Sequence, residues 1–247
     1  MINSNVLANT DLASLTAVIL AGGLGTRLRS VVADRPKVLA EVRGKPFLAY
    51  LLDQIAAAGA REVVLCTGYL GEQVQAIFGE SYGSLHLVYS QESSQLGTAG
   101  ALRLALPLLQ SDSVLVMNGD SVCDVNLLPF FSWHFRQKAD ATLLVTKTPD
   151  TSRYGRVQLD ADGRVLSFEE KGGNRAPGWI NAGIYLLKPS LLLEIPETGA
   201  VSLEREMFPT WIGRGFYGYR SEGRFLDIGT PESYAEAEQF LTVEAIA

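Results

Sequence analysis

A short, wholly apolar run, Ala17 to Leu20, stops abruptly at a loop carrying Gly22, Gly23 and Gly25. So short and uniformly apolar a segment is a strand covered on both faces, as in the interior of a parallel sheet, and the glycines mark a tight backbone turn at its carboxyl end. A parallel neighbour requires a crossover, and the crossover is usually a helix. The next periodic segment supplies one. Pro46 opens it, Phe47, Leu48, Leu51, Leu52 and Ile55 share a face, and Gly59 ends it.

The alternation continues through strands at Val63–Thr67, His86–Tyr89 and Val114–Asn118, with helices at Glu72–Phe78 and Thr98–Leu108 between them. A helix at Pro129–Lys138 and a strand at Ala141–Lys147 follow. The rhythm then changes: Arg156–Leu159 and Val165–Glu169 flank Asp160-Ala161-Asp162-Gly163, a hairpin signal, and Ile180–Leu187 adds another strand. A last helix starts at Pro231, capped by Thr230, with Tyr234, Ala237 and Leu241 on one face. The pattern predicts an α/β chain: a Rossmann-like three-layer α/β/α sandwich with a mixed, mostly parallel central sheet and a small antiparallel part.

With 247 residues, one domain is expected over 16–247, after a polar leader over 1–15 expected to be flexible. Within that domain the expected parts are 16–120, 121–230 and a terminal helix over 231–242. A net charge of −6 is the wrong sign for nonspecific binding to nucleic acid, although a local cluster of cations could still hold a small phosphorylated ligand. Cys66 and Cys123 both fall in or at the end of apolar runs and read as buried thiols of a reducing compartment. Neither a signal peptide nor a stretch of about 18 apolar residues is visible, which predicts a cytoplasmic protein without a membrane partner. Self-association is left open.

Ligands of open α/β sheets bind beyond the carboxyl ends of the strands. That rule selects the loop from Ala21 to Arg29 and the tripeptide Asn118-Gly119-Asp120. Glycines in the first loop let backbone N–H groups approach phosphate oxygens. The dinucleotide fingerprint fails because Leu28 stands where a small residue is needed, and the Walker pattern lacks its Gly-Lys-Ser/Thr. Arg27 and Lys37 follow the loop in a polar stretch, with Pro36 fixing the chain just before Lys37. His86 and His134 have no Cys or His at ligand spacing, so both read as structural or surface residues rather than zinc ligands.

The segment LAGGLGTRLRSVVADRPKVLAEVRGKPFLAYLLDQI resembles the signature of the sugar-1-phosphate nucleotidylyltransferases, the NDP-sugar pyrophosphorylases. The resemblance runs from Thr16 to Leu241. It continues through Leu96-Gly97-Thr98-Ala99-Gly100-Ala101, Asn118-Gly119-Asp120, Tyr154-Gly155-Arg156-Val157, Glu169-Glu170-Lys171, Asn181-Ala182-Gly183-Ile184-Tyr185 and Asp227-Ile228-Gly229-Thr230-Pro231-Glu232. It is similar to short members without a C-terminal β-helix, most of all to those that join guanylyl to a manno-configured heptose 1-phosphate. Enzymes that uridylylate N-acetylmuramate 1-phosphate come next.

The resemblance implies a nucleoside triphosphate, GTP by the nearest branch, a sugar 1-phosphate and Mg²⁺ as ligands. It implies catalytic roles for Arg27, Lys37, Asp120 and Lys171. Nucleotide contacts would come from Leu20, Ala21, Gly22, Gly23, Gly25, Thr26, Arg27, Gln91, Gly97 and Thr98. Sugar-phosphate contacts would come from Asn118, Gly155, Glu170, Lys171, Asn181 and Gly183, and metal ligands from Asp120 and Asp227. Trp179 is a candidate floor for the sugar pocket. The alternatives are a uridylyl- or thymidylyltransferase for another sugar 1-phosphate and a catalytically silent homologue that senses sugar nucleotides. A silent copy has no need of Arg27, Lys37, Asp120, Lys171 and Asp227 together.

Overall fold

A computed structural model describes residue 13 and residues 15–171 and 175–241. The expected leader therefore lies almost wholly outside the described residues. The first strand, β1 (Thr16–Leu20), leads through a long loop and a 3-10 turn at Lys37–Leu39 into a small ribbon, β2 (Glu41–Val42) and β3 (Lys45–Pro46). Then come α1 (Phe47–Ala57), β4 (Glu62–Thr67), α2 (Gly71–Phe78), β5 (Ser81–Tyr82), β6 (Leu85–Gln91) and α3 (Gly97–Ala105). Next are β7 (Val114–Asn118), β8 (Ser121–Cys123), α4 (Leu127–Gln137), β9 (Ala141–Thr148), β10 (Arg156–Leu159) and β11 (Val165–Glu169). The chain ends with β12 (Gly178–Leu187), α5 (Pro189–Leu192), a π turn at Leu203–Met207, α6 (Phe208–Trp211), β13 (Phe216–Ser221), β14 (Phe225–Asp227) and α7 (Pro231–Phe240).

Ten strands form one sheet in the order β11-β10-β12-β7-β1-β4-β6-β5, with β9 pairing both β12 and β13. Strands β7, β1, β4 and β6 run parallel, so Asn118, Leu20, Cys66 and Ser90 fall on one line near their carboxyl ends. Alternate residues of the same strand feed two cores, one on each face: Ala17 and Ile19 join Leu48, Leu51, Phe130 and Ala237, while Val18 joins Leu102, Phe208 and Trp211. That is the expected three-layer sandwich. Cys66 and Cys123 are buried and free, and burial pushes both thiols up to about 12.

Element types match the periodicity, and the ends differ for identifiable reasons. Helix α3 stops at Ala105 because Pro107 lacks an N–H, and a 3-10 turn carries the chain on to Leu108. Helix α4 starts ahead of Pro129 because the Asn126 side chain accepts the Leu128 N–H and caps it. Strand β13 carries no clear alternation and was not expected. It joins the sheet parallel to β9, far away in sequence.

His134 is buried on α4 with Nδ1 2.7 Å from Thr142 Oγ1, the structural role expected for it. Burial, with Lys188 nearby, holds its pKa down to about 4, although Asp140 pulls the other way. The unfolded chain therefore takes up this proton first as pH falls. The contribution of neutral His134 is complete above about pH 6.5 and is lost as pH falls towards 4, at about 1.4 kcal/mol per pH unit within that window. Melting temperatures measured between pH 7.5 and 5 should fall more steeply for the natural protein than for His134→Gln. Equal slopes would remove His134 from the acid sensitivity of the fold.

Candidate active site

Three chain crossings build one cleft at the carboxyl ends of the parallel strands. The loop after β1 gives the first wall. Its Ala21 N–H donates to Cys66 O across to β4, while Gly119 N–H donates to Leu20 O from β7. Gly119 has no substitute there, since a side-chain carbon would lie 2.6 Å from Leu20 O and 2.9 Å from Val38 Cγ1. Leu20, Ala21, Gly23, Gly25, Thr26, Arg27, Lys37, Val38, Asp120 and Gly229 surround a cavity of about 170 Å³.

Asp227 arrives from the far end of the chain. Strand β14 pairs antiparallel with β8, setting Asp227 opposite Ser121, and Ile228 N–H donates to Asp120 O at 2.9 Å. Lys37 Nζ lies 2.7 Å from Asp120 Oδ2, with the lysine side chain only 10% exposed and the aspartate 44%. A carbon placed at Gly229 would sit 2.5 Å from Asp227 Oδ1, 3.4 Å from Arg27 Nη2 and 3.5 Å from Lys37 Nζ. Both carboxylates and both cations thus converge, although 83 residues separate Asp120 from Lys37, and Arg27 and Asp227 lie farther still along the chain. Desolvation pushes the Asp120 carboxyl up, but Lys37, Lys171 and Arg27 outweigh it, and the carboxyl ends below its ordinary value. Asp120 is held ionised.

Across Asp120 lies a second cavity of about 90 Å³, bordered by Asn118, Gly155, Glu170, Lys171, Asn181 and Gly183 among others. Strand β12 shifts register between Asn181 and Tyr185. Gly183 makes that irregularity with a φ of 72°, and bulges of this kind re-aim side chains beside sites. Asn181 turns back on itself, accepting the Gly183 N–H and donating to Tyr185 Oη at 2.8 Å. Lys171 is exposed at the rim. Trp179 stands apart, lining a neighbouring cavity of about 460 Å³ that shares Tyr154 and Phe225 with this one.

The third crossing lies at the end of β6. Gln91 ends β6, and its side chain is exposed, with Nε2 3.5 Å from where a side-chain carbon at Gly71 would lie. Glu92 takes the inward position instead. Its Oε1 packs against Gly22 and Gly68, where side-chain carbons would lie 3.0 and 2.8 Å away, and its Oε2 accepts the Leu96 N–H. Burial raises the Glu92 carboxyl, and the bond from Leu96 offsets only part of the rise. Gly97 and Thr98 follow at the start of α3: Gly97 packs against the Val201 carbonyl too closely for a side chain, and Thr98 Oγ1 accepts the Leu203 N–H. Alternation along β6 was the sequence signal for Glu92, because consecutive residues of a strand face opposite ways.

Residues 16–244 match the family described as nucleotidyl transferase. The chain belongs to that family. It is 36% identical over 228 residues to a D-glycero-alpha-D-manno-heptose 1-phosphate guanylyltransferase of Aneurinibacillus thermoaerophilus, covering 92% of this chain and 98% of that one. It is also 36% identical over 222 residues to the mannose-1-phosphate guanylyltransferase of Mycobacterium tuberculosis, of whose length the match spans 62%. Crystallographic HddC from Yersinia pseudotuberculosis superposes with a TM-score of 0.81 at 30% identity, covering 92% of this chain and 100% of that one, and has also been solved with GMP-PN. Among the described residues of this family member no helix is long and apolar enough to cross a membrane.

Proposed function

We propose that the chain transfers guanylyl from GTP to a sugar 1-phosphate, a manno-configured heptose 1-phosphate by preference, releasing pyrophosphate. The observation that carries this reading is the pair of cradles meeting at Asp120, one rich in backbone N–H groups and cations, the other in polar side chains beside a lysine. On this reading 16–120 serves the nucleotide, 121–230 the acceptor, and the terminal helix closes the domain.

The nucleophile is the acceptor's own ionised phosphate oxygen, so no protein base has to generate it. The work left to the protein is alignment and charge. Lys171 would hold the acceptor phosphate at the rim, with Glu170, Asn181 and Asn118 taking sugar hydroxyls. Lys37, held by Asp120, would neutralise charge at the α-phosphate. Arg27, exposed on the loop after β1, would grip the departing pyrophosphate with its planar fork of donors.

Two carboxylates from Asp120 and Asp227 suit Mg²⁺, which takes one or two carboxylates and completes its shell with phosphate oxygens and water. The ion supplies positive charge to the phosphate oxygens.

Glu92 supports guanine as the base. Guanine offers adjacent N–H donors at N1 and N2, which a carboxylate accepts as a pair, whereas uracil flanks one N–H with two carbonyls that a carboxylate repels. The 460 Å³ cavity behind Tyr154 and Phe225 supports an acceptor longer than a hexose. Pyrophosphate release should be followed for GTP, UTP, dTTP, ATP and CTP against several sugar 1-phosphates. Turnover is expected only with a sugar 1-phosphate and Mg²⁺ present, highest with GTP, and about tenfold better in kcat/KM for the heptose than for mannose 1-phosphate. UTP or dTTP equalling GTP with every acceptor would overturn the guanylyl reading. Binding of sugar nucleotides without any turnover would establish the silent homologue instead.

A further inference from the structure

Glu204 sits on the π turn Leu203–Met207, a rare one-turn irregularity that recurs at functional sites. The turn is fastened to the nucleotide side of the cleft. Val201 N–H donates to Leu96 O, Ala99 N–H donates to Val201 O, and Leu203 N–H donates to Thr98 Oγ1. Glu204 is half-buried and lines the acceptor cavity beside Asn118, Glu170 and Asn181.

Its two oxygens are used unequally. Oε2 accepts hydroxyl hydrogens from Thr98 at 2.8 Å and Ser202 at 3.0 Å, which fixes the plane of the carboxylate. Among the described residues Oε1 accepts from the Tyr185 hydroxyl alone, at 3.4 Å, the outer limit of a hydrogen bond. That hydroxyl in turn accepts N–H groups from Asn118 at 3.3 Å and Asn181 at 2.8 Å, so its own hydrogen is directed at Glu204. Oε1 is therefore oriented, negatively charged and short of donors, at the edge of a cavity that it shares with the amides of Asn118 and Asn181, the Glu170 carboxylate and Lys171. An aliphatic hydroxyl is the donor that suits it, because it bonds a carboxylate strongly without bringing a charge of its own.

We infer that Glu204 accepts a hydrogen bond from a hydroxyl of the acceptor sugar through Oε1, making it a specificity-determining residue of the acceptor site. The inference rests on the reading of this cavity as the acceptor's. Its position on the turn that clasps Leu96 to Gly100 explains why the carboxylate can be held so firmly: both hydroxyls that pin Oε2 are themselves anchored, Thr98 by Leu203 and Ser202 by Arg205.

The test compares the natural protein, Glu204→Gln and Glu204→Ala with mannose 1-phosphate and its monodeoxy analogues, GTP being saturating. The natural protein should discriminate about tenfold in kcat/KM against one deoxy analogue. Glu204→Ala should lose about that factor with mannose 1-phosphate, lose nothing further with that analogue, and keep its KM for GTP. Glu204→Gln, whose amide oxygen still accepts, should retain part of the discrimination, and it carries the comparison if the alanine variant does not fold. Equal losses across all analogues, or a matching rise in KM for GTP, would overturn the role of Glu204 and leave the enzyme reading intact. Absence of turnover by the natural protein with every sugar 1-phosphate would overturn that reading and this inference together.

Discussion

Lys37→Ala and Arg27→Ala should each lower kcat by about two orders of magnitude or more while the protein stays folded. The figure follows from the loss of one preorganised charge-stabilising donor, about 2.7–4 kcal/mol of transition-state stabilisation. Lys37 should be the worse loss of the two. Its side chain is 10% exposed and pinned by Asp120, so no water or neighbouring cation can replace it without leaving a carboxylate unpaired. Arg27 is exposed at the loop and contributes through its reach. Steady-state kinetics with GTP and a sugar 1-phosphate, alongside thermal melting, would check both. Near-natural turnover in the two variants would end the assignment of this cleft to nucleotidyl transfer.

Glu92→Gln should lower kcat/KM for GTP by about 100-fold and raise the use of UTP relative to GTP by more. A hydrogen bond to a charged group contributes about 1.5–3 kcal/mol, and the amide also turns one acceptor into a donor, facing guanine with an N–H it cannot accept. The same amide suits the alternating edge of uracil. Gln91→Glu should change neither value, since that side chain is exposed beside Gly71. A GTP to UTP ratio unchanged in Glu92→Gln would exclude Glu92 from base selection and leave guanine without a side chain to explain it.

What the sequence determined by itself is local. A short apolar run that stops at a glycine loop reads as a buried strand, and the alternation of such runs with amphipathic stretches leaves few options besides a layered α/β sandwich. The same reasoning placed Gly22 to Arg27 and Asn118 to Asp120 at strand carboxyl ends, where the cleft lies. It also anticipated Thr230 as the cap of α7, because a cap depends on its own next three residues; Thr230 Oγ1 accepts the Ser233 N–H.

Tertiary structure decided the rest, for reasons of distance and parity. Asp227 reaches Asp120 only because β14 pairs with β8 across about 100 residues, and no local pattern encodes that pairing. Strand β13 belongs to the sheet for the same reason: its partner β9 supplies the ladder that its own residues do not announce. Glu92 packs against Gly22 of the glycine loop because one step along a strand reverses the side chain, and which of two neighbours does so depends on how β6 sits in the sheet. Glu204 is the extreme case. Its orientation comes from an irregular turn whose own Ser202 and the Thr98 hydroxyl of α3 fix the carboxylate, and a turn without period leaves no trace in a sequence until the two segments meet.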